Sequence, residues 1–368
     1  MKTNKRTFIA IAILALSAIC ISASTTRAAD ANWKQDWDRT VAAANKEGEL
    51  IVSGPVGKLW SDFLVARFHR DYPGINLKIT PFAARDFWVR FIKEREVGQY
   101  LWDLRVGGTD SALFSLLRQG ALAPTRPLLV LPENTDDDAF YGGIDGLFAD
   151  NAKTTLLTFG FQTSQTSFYN KDIIPQQLTA ADLIKPEWTG KISLDDPRGG
   201  SVFNQLAVLD KIYGDDFVRT LLLKQKVVIP GSKRQQVEWM VSGRYPIGFG
   251  VVMEDIIEYA QRGARVDMIV PIEAPEQTFS QGFGGVTLIA KAPHPNAAKV
   301  FINWILTKDV QTALDAAIKI NSRRKGVPPG APNNMVDVSR LSHYSGHQTE
   351  AFEPYHEAVA KIVREMKR

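Results

Sequence analysis

Predicted strands and helices alternate along most of this chain. Short apolar strands are expected at 49–53, 77–81 and 102–106, and each is followed by apolar residues at helical spacing. Such alternation favours parallel sheets, because parallel neighbours need a crossover connection, which is usually a helix. A second series of the same kind begins after residue 170. The sequence therefore predicts an α/β fold with two lobes, each built on a doubly wound, mostly parallel sheet.

The length of the chain agrees with two lobes. Without a leader of 28 residues, about 340 residues remain, which is more than one hydrophobic core comfortably accommodates. Two extended stretches, at 154–169 and 268–290, are predicted to cross between the lobes as hinges. The predicted boundaries are 29–158 with 275–327 for the first lobe, 159–274 for the second lobe, and 328–368 for a C-terminal tail whose last helix braces the lobes.

Residues 1–28 have the pattern of a cleaved signal peptide. Three basic residues precede an apolar run at 8–21, and small residues follow it. Cleavage after Ala28 fits the preference for small residues before the cut, with Ala29 and Ser24 as alternatives. The apolar run is too short for a membrane span. We therefore expect a periplasmic protein.

The formal charge of +4 at pH 7 comes entirely from the leader, because Lys2, Lys5, Arg6 and Arg27 lie there and leave 40 basic against 40 acidic residues. A neutral chain gives no electrostatic reason to expect nucleic acid or an acidic membrane surface as a partner. Cys20 is the one cysteine, and the isoleucine before it argues against lipid modification. Cleavage of the leader thus excludes disulfides, thiol nucleophiles and cysteine-bound metals.

The most informative local pattern is a glycine-rich turn between a strand and a helix. A strand at 192–194 leads through Gly199 and Gly200 into a helix that Ser201 is placed to cap. The free N–H groups of such a helix start, together with the helix dipole, suit a carboxylate, phosphate or phosphonate. Arg198 can add a bidentate contact. In the alternative interpretation, the turn only caps an ordinary surface helix.

Further candidate residues lie in loops that follow strands. Ligands of doubly wound sheets bind beyond the carboxyl ends of the strands, which here continue into loops 53–57, 83–87 and 107–110. Turns and cores use the same residue types, so each candidate also has a structural interpretation. The predicted site adds polar loop residues, two rings that could stack on an organic solute, and a close-packing glycine: Ser53, Gly54, Arg85, Gly108, Thr109, Phe161, Phe283 and Gly250.

The sequence shows no pattern for catalysis or for metal binding. A Gly-x-Ser-x-Gly elbow is missing, and no histidine falls in the predicted cleft loops. The acidic run at 136–138 lacks the alternating spacing of a calcium loop. We therefore predict no catalytic residue, no metal and no cofactor. An exported hydrolase remains an alternative, because scattered residues can converge in a fold.

Seven longer segments of the chain carry a family resemblance: 43–52, 68–75, 86–90, 99–103, 186–192, 195–200 and 293–299. Taken in this order, they resemble the extracellular solute-binding proteins of ABC importers. The resemblance is to the branch that contains the ferric-ion-binding periplasmic proteins, and it spans essentially the chain after the leader. It implies a type II periplasmic-binding-protein fold that closes over a solute, and a membrane ABC permease as partner.

One segment departs from the ferric-ion-binding members. Those proteins are similar to one another in a pair of neighbouring tyrosines after the strand that here reads 247–252, whereas residues 251–254 of this chain are Val-Val-Met-Glu. Fe(III) prefers hard oxygen ligands, which valine and methionine do not offer. The expected solute is therefore a small organic anion, bound by a monomeric protein. Ferric iron transport and a ligand-binding role in a sensor system are the alternatives.

Overall fold

The computed structural model describes residues 33–163, 167–198, 200–251, 253–269, 277–282 and 284–366. The predicted leader lies outside these residues. Within them, no helix is long and apolar enough to cross a membrane.

Helices and strands alternate as the sequence pattern predicts. The helices are α1 (33–47), α2 (Lys58–Asp71), α3 (Ala84–Glu96), α4 (Ser111–Arg118), α5 (Pro132–Thr135), α6 (Gly200–Tyr213), α7 (Asp215–Arg219), α8 (Lys233–Val241), α9 (Met253–Gln261), α10 (Pro295–Ile305), α11 (Lys308–Ile318) and α12 (Glu353–Glu365). The strands are β1 (Glu49–Gly54), β2 (Asn76–Pro81), β3 (Leu104–Val106), β4 (Leu122–Ala123), β5 (Leu156–Thr158), β6 (Gln162–Thr163), β7 (Ser167–Asn170), β8 (Ile192–Leu194), β9 (Ile247–Phe249), β10 (Val266–Met268), β11 (Gln277–Ser280), β12 (Gly285–Ile289) and β13 (Tyr344–Gly346).

The first sheet has the strand order β2-β1-β3-β12-β4, and β5 also pairs with β12. Strand β1 is parallel to β2 and β3, whereas β12, which returns from the far part of the chain, is antiparallel to its neighbours. Alternate residues of β1 serve two faces: Leu50 and Val52 enter the apolar cluster with Phe301, while Ile51 packs in the cluster with Phe87. The first sheet is therefore covered on both faces.

The second sheet has the order β10-β7-β9-β8. Strands β8 and β9 are parallel, but β7 runs antiparallel to both β9 and β10. The prediction of a mostly parallel sheet is therefore wrong here, because β7 pairs with strands that are distant in sequence. The apolar residues 227–229 lie beside this sheet and contact it through an isolated bridge between Val228 and Ser193. Lys226 immediately before them has a φ of 51°, and this left-handed turn leaves the following residues only a short run beside the sheet. Helices α6 and α12 pack together on this second layer.

A small third sheet joins the two predicted crossings to the C-terminal part of the chain. Strand β11 is antiparallel to β6 and parallel to β13. Beside it lies a separate apolar cluster that contains Phe161, Phe279 and Val336. The two main sheets have separate cores of their own. The lobe boundaries given above remain a prediction.

Candidate functional site

Ser53 and Arg105 lie side by side at the carboxyl edge of the first sheet. They are register partners on the parallel strands β1 and β3, so their side chains project from the same face. Both residues are buried, and Arg105 donates a hydrogen bond from Nη1 to Ser53 Oγ at 2.8 Å. The hydroxyl of the predicted site residue Ser53 thus already accepts a hydrogen bond from Arg105, a cation that the sequence pattern did not single out.

The guanidinium of Arg105 is enclosed mainly by aromatic rings. Its Cζ lies 5.2 Å from the ring centroid of Phe87 and 5.5 Å from that of Trp88. Its Nε has no hydrogen-bond partner, and no carboxylate of the described residues pairs with it. Burial lowers the pKa of Arg105 to about 10, while the charge of nearby Asp110 acts in the opposite direction. Arg105 is therefore a buried cation without a paired anion.

The loop that follows β3 is fixed by close backbone contacts. A Cβ on Gly108 would collide with the carbonyl oxygen of Gly282, so only glycine fits there. Thr109 is buried, and its hydroxyl lies 2.8 Å from Gln281 Oε1 and within hydrogen-bond distance of the Gln348 carbonyl. Gly54, at the end of β1, is similarly restricted, because a Cβ would lie 2.6 Å from Ile79. The loop glycines thus permit close packing at this edge.

Asp110 closes this loop and begins the next helix. It caps α4 by accepting from the Leu113 N–H at 3.0 Å, and it accepts from Trp88 Nε1 at 3.1 Å. One carboxylate therefore ties the start of α4 to α3. The same carboxylate is the anion whose charge acts on Arg105.

At the edge of the second sheet, Gly250 follows β9 with a φ of 93°. A Cβ there would overlap Val202 of α6 and lie 2.8 Å from Asp195 Cβ, so this glycine lets α6 pack against the end of the strand. Lys233 Nζ lies 2.6 Å from the Gly250 carbonyl and 2.6 Å from Asp195 Oδ2. The cation at this edge, Lys233, is therefore paired with a carboxylate, whereas Arg105 at the edge of the first sheet is not.

The predicted anion turn is described only in part. Helix α6 begins at Gly200, but Gly199 lies outside the described residues, as does the side chain of Ser201. Arg198 is exposed and makes a bidentate ion pair with Asp196, at 2.7 and 2.5 Å. A solute that contacts Arg198 has to compete with this carboxylate.

Comparison with known proteins assigns the family. The model of the family described as "Bacterial extracellular solute-binding protein" matches residues 64–337. This chain belongs to that family. An uncharacterized protein of Haemophilus influenzae is 22% identical over 343 residues, which cover 88% of this solute-binding protein and 92% of the relative.

Solved structures show the same fold. The apo ferric ion-binding protein A of Pasteurella haemolytica superposes with a TM-score of 0.62 at 15% identity and covers 87% of this chain and 98% of its own. A Trichodesmium protein in complex with iron and citrate ligands gives a TM-score of 0.62 at 15% identity, covering 87% and 100%. The predicted type II periplasmic-binding-protein fold is confirmed. The family match and the fold together make the chain a bacterial extracellular solute-binding protein.

Arg85, Phe161 and Phe283 are the remaining predicted site residues of this solute-binding protein. Arg85 is exposed in the first turn of α3 and lines a surface groove of about 650 Å³ with Asp86, Val89, Arg90, Lys93 and Glu94. Phe161 is fully buried between Tyr141, Phe279 and the guanidinium of Arg323, so its ring has no free face for a solute. Phe283 lies outside the described residues.

Sequence reasoning missed Arg105 and Lys233. A signal for Arg105 was present, because a cation interrupts the apolar strand Leu104–Val106 directly before two glycines. Lys233 carried no such signal, since an exposed-looking lysine at a helix start is common.

Proposed function

We propose that this solute-binding protein captures a small organic anion, with a carboxylate, phosphate or phosphonate group, between its lobes and delivers it to the membrane permease of an ABC importer. The observation that carries the proposal is Arg105, a buried guanidinium at the carboxyl edge of the first sheet. Among the described residues it makes one hydrogen bond, to Ser53, and pairs with no carboxylate. Ligands of α/β sheets bind at this edge.

Burial without a counterion is the physical argument for an anion. A buried charge costs free energy unless it is paired and hydrogen-bonded, and an unpaired cation is strongly unfavourable. Arg105 has unused donor capacity, because Nε is without a partner. A solute carboxylate or phosphate offers the planar or tripodal oxygen set that a guanidinium binds through two parallel hydrogen bonds. The binding energy would then offset the cost of burying the charge.

Three further features support a site at this edge. Ser53 and Thr109 supply hydroxyls, and Gly108 lets the loop backbone approach closely. On the second sheet, Lys233 lies beside the edge where β9 leads to Gly250 and where α6 begins at Gly200. The N–H groups at a helix start favour an anion. An anion held from both sheets would draw the two lobes together.

Ferric iron is the second candidate, because similar structures are named as ferric ion-binding proteins and one holds iron with citrate. The chain differs at the position after β9, where Val251 is buried in an apolar cluster. Among the described residues, no group of three histidine, aspartate or glutamate side chains is placed to hold a metal ion. The organic anion is therefore the proposal that we favour.

The experiment is a calorimetric titration of the mature protein. The protein is first unfolded and refolded, because this step removes any co-purified solute. The panel contains citrate, a phosphorylated sugar, a phosphonate, inorganic phosphate, and Fe(III) with citrate. We expect Arg105→Gln to weaken binding of the active organic anion by about tenfold to a hundredfold, since a hydrogen bond to a charged group contributes about 1.5–3 kcal/mol. Binding of Fe(III) but of no organic anion would replace the proposal by its alternative.

Arg262→Gln is the matched control, because Arg262 is exposed, pairs with Glu258 of α9 and belongs to no predicted site. We expect it to change the affinity by less than about threefold, in line with an exposed ion pair.

The melting curve of ligand-free Arg105→Gln shows whether a loss of affinity comes from the site or from a destabilised fold. A site cation held without a counterion should cost stability, so this variant should melt no lower than the wild type. Unchanged affinity in Arg105→Gln would contradict the proposal.

A further inference from the structure

The C-terminal segment of the chain lies largely beyond the family match, which ends at residue 337. It contains a 3-10 turn at Val338–His343, strand β13, a second 3-10 turn at Glu350–Phe352, and helix α12. Strand β13 joins the third sheet by pairing with β11. This segment is therefore integrated into the fold.

One part of the segment contacts the edge that carries the proposed site. The Gln348 side chain accepts hydrogen bonds through Oε1 from Ser280 Oγ at 2.9 Å and from the Gln281 N–H at 3.0 Å. The Gln348 carbonyl lies within hydrogen-bond distance of the Thr109 hydroxyl, which also reaches Gln281. Gln348 thus connects the loop after β3 to the second crossing, where the chain returns to the first sheet.

Residues just after Gln348 bind the layer of the first sheet. The Glu350 N–H donates to the Ala149 carbonyl at 2.9 Å, and Glu350 Oε2 accepts from the Asn151 N–H at 2.8 Å. Arg118 of α4 forms an ion pair with Glu353 at 2.5 Å. These contacts hold the beginning of α12 against the first layer.

The rest of α12 belongs to the core of the second sheet. Val359 and Ile362 are fully buried there with Leu206 of α6, and Phe352 joins the same cluster. Arg219 of α7 pairs with Glu365 near the end of the helix. The segment 344–366 therefore contacts both layers and lies beside both Thr109 and the second crossing.

We propose that residues 344–366 form a third connection between the lobes, and that Gln348 is a positioning residue for the solute site. Gln348 holds the Gly108–Thr109 loop and the Ser280–Gln281 crossing in one arrangement, so that its removal loosens the loop and speeds solute release. The effect on the solute rests on the proposed function above; the effect on the loop does not.

The first measurement is native-state amide hydrogen exchange on the ligand-free mature chain. Gln348→Ala removes the acceptor for Ser280 and Gln281, and exchange should rise tenfold or more at Gln281 and throughout 107–110. Gln348→Glu keeps an acceptor oxygen and should restore most of the protection. Gln119→Ala is the control, because the Gln119 side chain donates to the Ser115 hydroxyl on the exposed end of α4. It should leave both regions unchanged.

Unchanged exchange at 107–110 in Gln348→Ala would overturn the proposal. If that variant melts far below the wild type, Thr109→Val replaces it, because it removes the hydroxyl at almost constant volume and tests the same connection.

The second measurement is the dissociation rate of citrate, used as the probe. Gln348→Ala should raise it at least fivefold, with Gln348→Glu close to wild type; equal rates would overturn the effect on release. If citrate does not bind at all, the exchange data still decide the positioning role.

Discussion

At the residue scale, Gly250 offers a clear test of how the second-sheet edge is built. Its φ of 93° is unfavourable for other residues, and a Cβ would overlap Val202. We expect Gly250→Ala to lower the free energy of unfolding by about 1–2 kcal/mol from the backbone and by about 1–3 kcal/mol more from overpacking. Urea unfolding of the ligand-free protein measures the sum.

Gly263 is the matched control for this substitution. It has a φ of 97°, but a Cβ there meets no atom within 4 Å. Gly263→Ala should therefore show the backbone cost alone. Equal losses of stability in the two variants would mean that the contact between Val202 of α6 and the end of β9 is not tight, and that α6 is free to shift at the predicted anion turn.

At the element scale, the cap of α4 links helix stability to the charge of the site. Asp110→Ala should cost about 0.5–2 kcal/mol of unfolding free energy, because the Leu113 N–H loses its cap. Asp110→Asn keeps an acceptor for the helix but removes the charge that acts on Arg105. We expect Asp110→Asn to strengthen anion binding several-fold, measured by the titration described above.

Ser232→Ala provides the comparison, because Ser232 caps α8 by accepting from the Gln235 N–H, in the other layer. It should lose a similar cap energy without changing the charge near Arg105. Weaker anion binding in Asp110→Asn than in the wild type would show that Asp110 orients Arg105 rather than opposing a bound anion.

The elements also show which features local sequence determines. The start of helix α4 at Ser111 is marked by two local signals, the cap residue Asp110 before it and the apolar spacing after it. The antiparallel direction of β7 depends on partners distant in sequence, so a doubly wound pattern does not reveal it. The loops after β1 and β3 could be placed from strand order. The position of Arg105 in β3 is visible in the sequence, but its burial is not, because the rings of Phe87 and Trp88 that enclose it come from α3.

At the scale of the whole molecule, buried titrating groups of two kinds oppose each other. Burial raises the pKa of Asp315 to about 7, and burial with the neighbouring Asp215 raises the pKa of Asp210 to about 7. Burial lowers the pKa of His347 to about 4, with a contribution from His356. In an unfolded chain these carboxyls titrate near 4 and histidine near 6.5. The folded protein therefore binds more protons at the two carboxyls, and fewer at His347, than the unfolded chain does.

These shifts predict opposite slopes of stability between pH 4 and 7. The two aspartates contribute stability that is fully present below about pH 4 and is lost as the pH rises towards 7. His347 contributes stability that is fully present above about pH 6.5 and is lost as the pH falls towards 4. Relative to wild type, the free energy of unfolding of Asp315→Asn should rise by up to about 4 kcal/mol as the pH rises from 4 to 7. That of His347→Gln should rise by up to about 3 kcal/mol as the pH falls from 6.5 to 4. Urea unfolding at pH 4.5, 5.5 and 6.5 measures both slopes. Differences from wild type that stay constant with pH would show that neither group titrates abnormally in the folded chain. Because the contribution of His347 opposes only part of that of the two aspartates, these three groups together should make the wild type less stable at pH 6.5 than at pH 4.5, with a smaller slope than the aspartates alone would give.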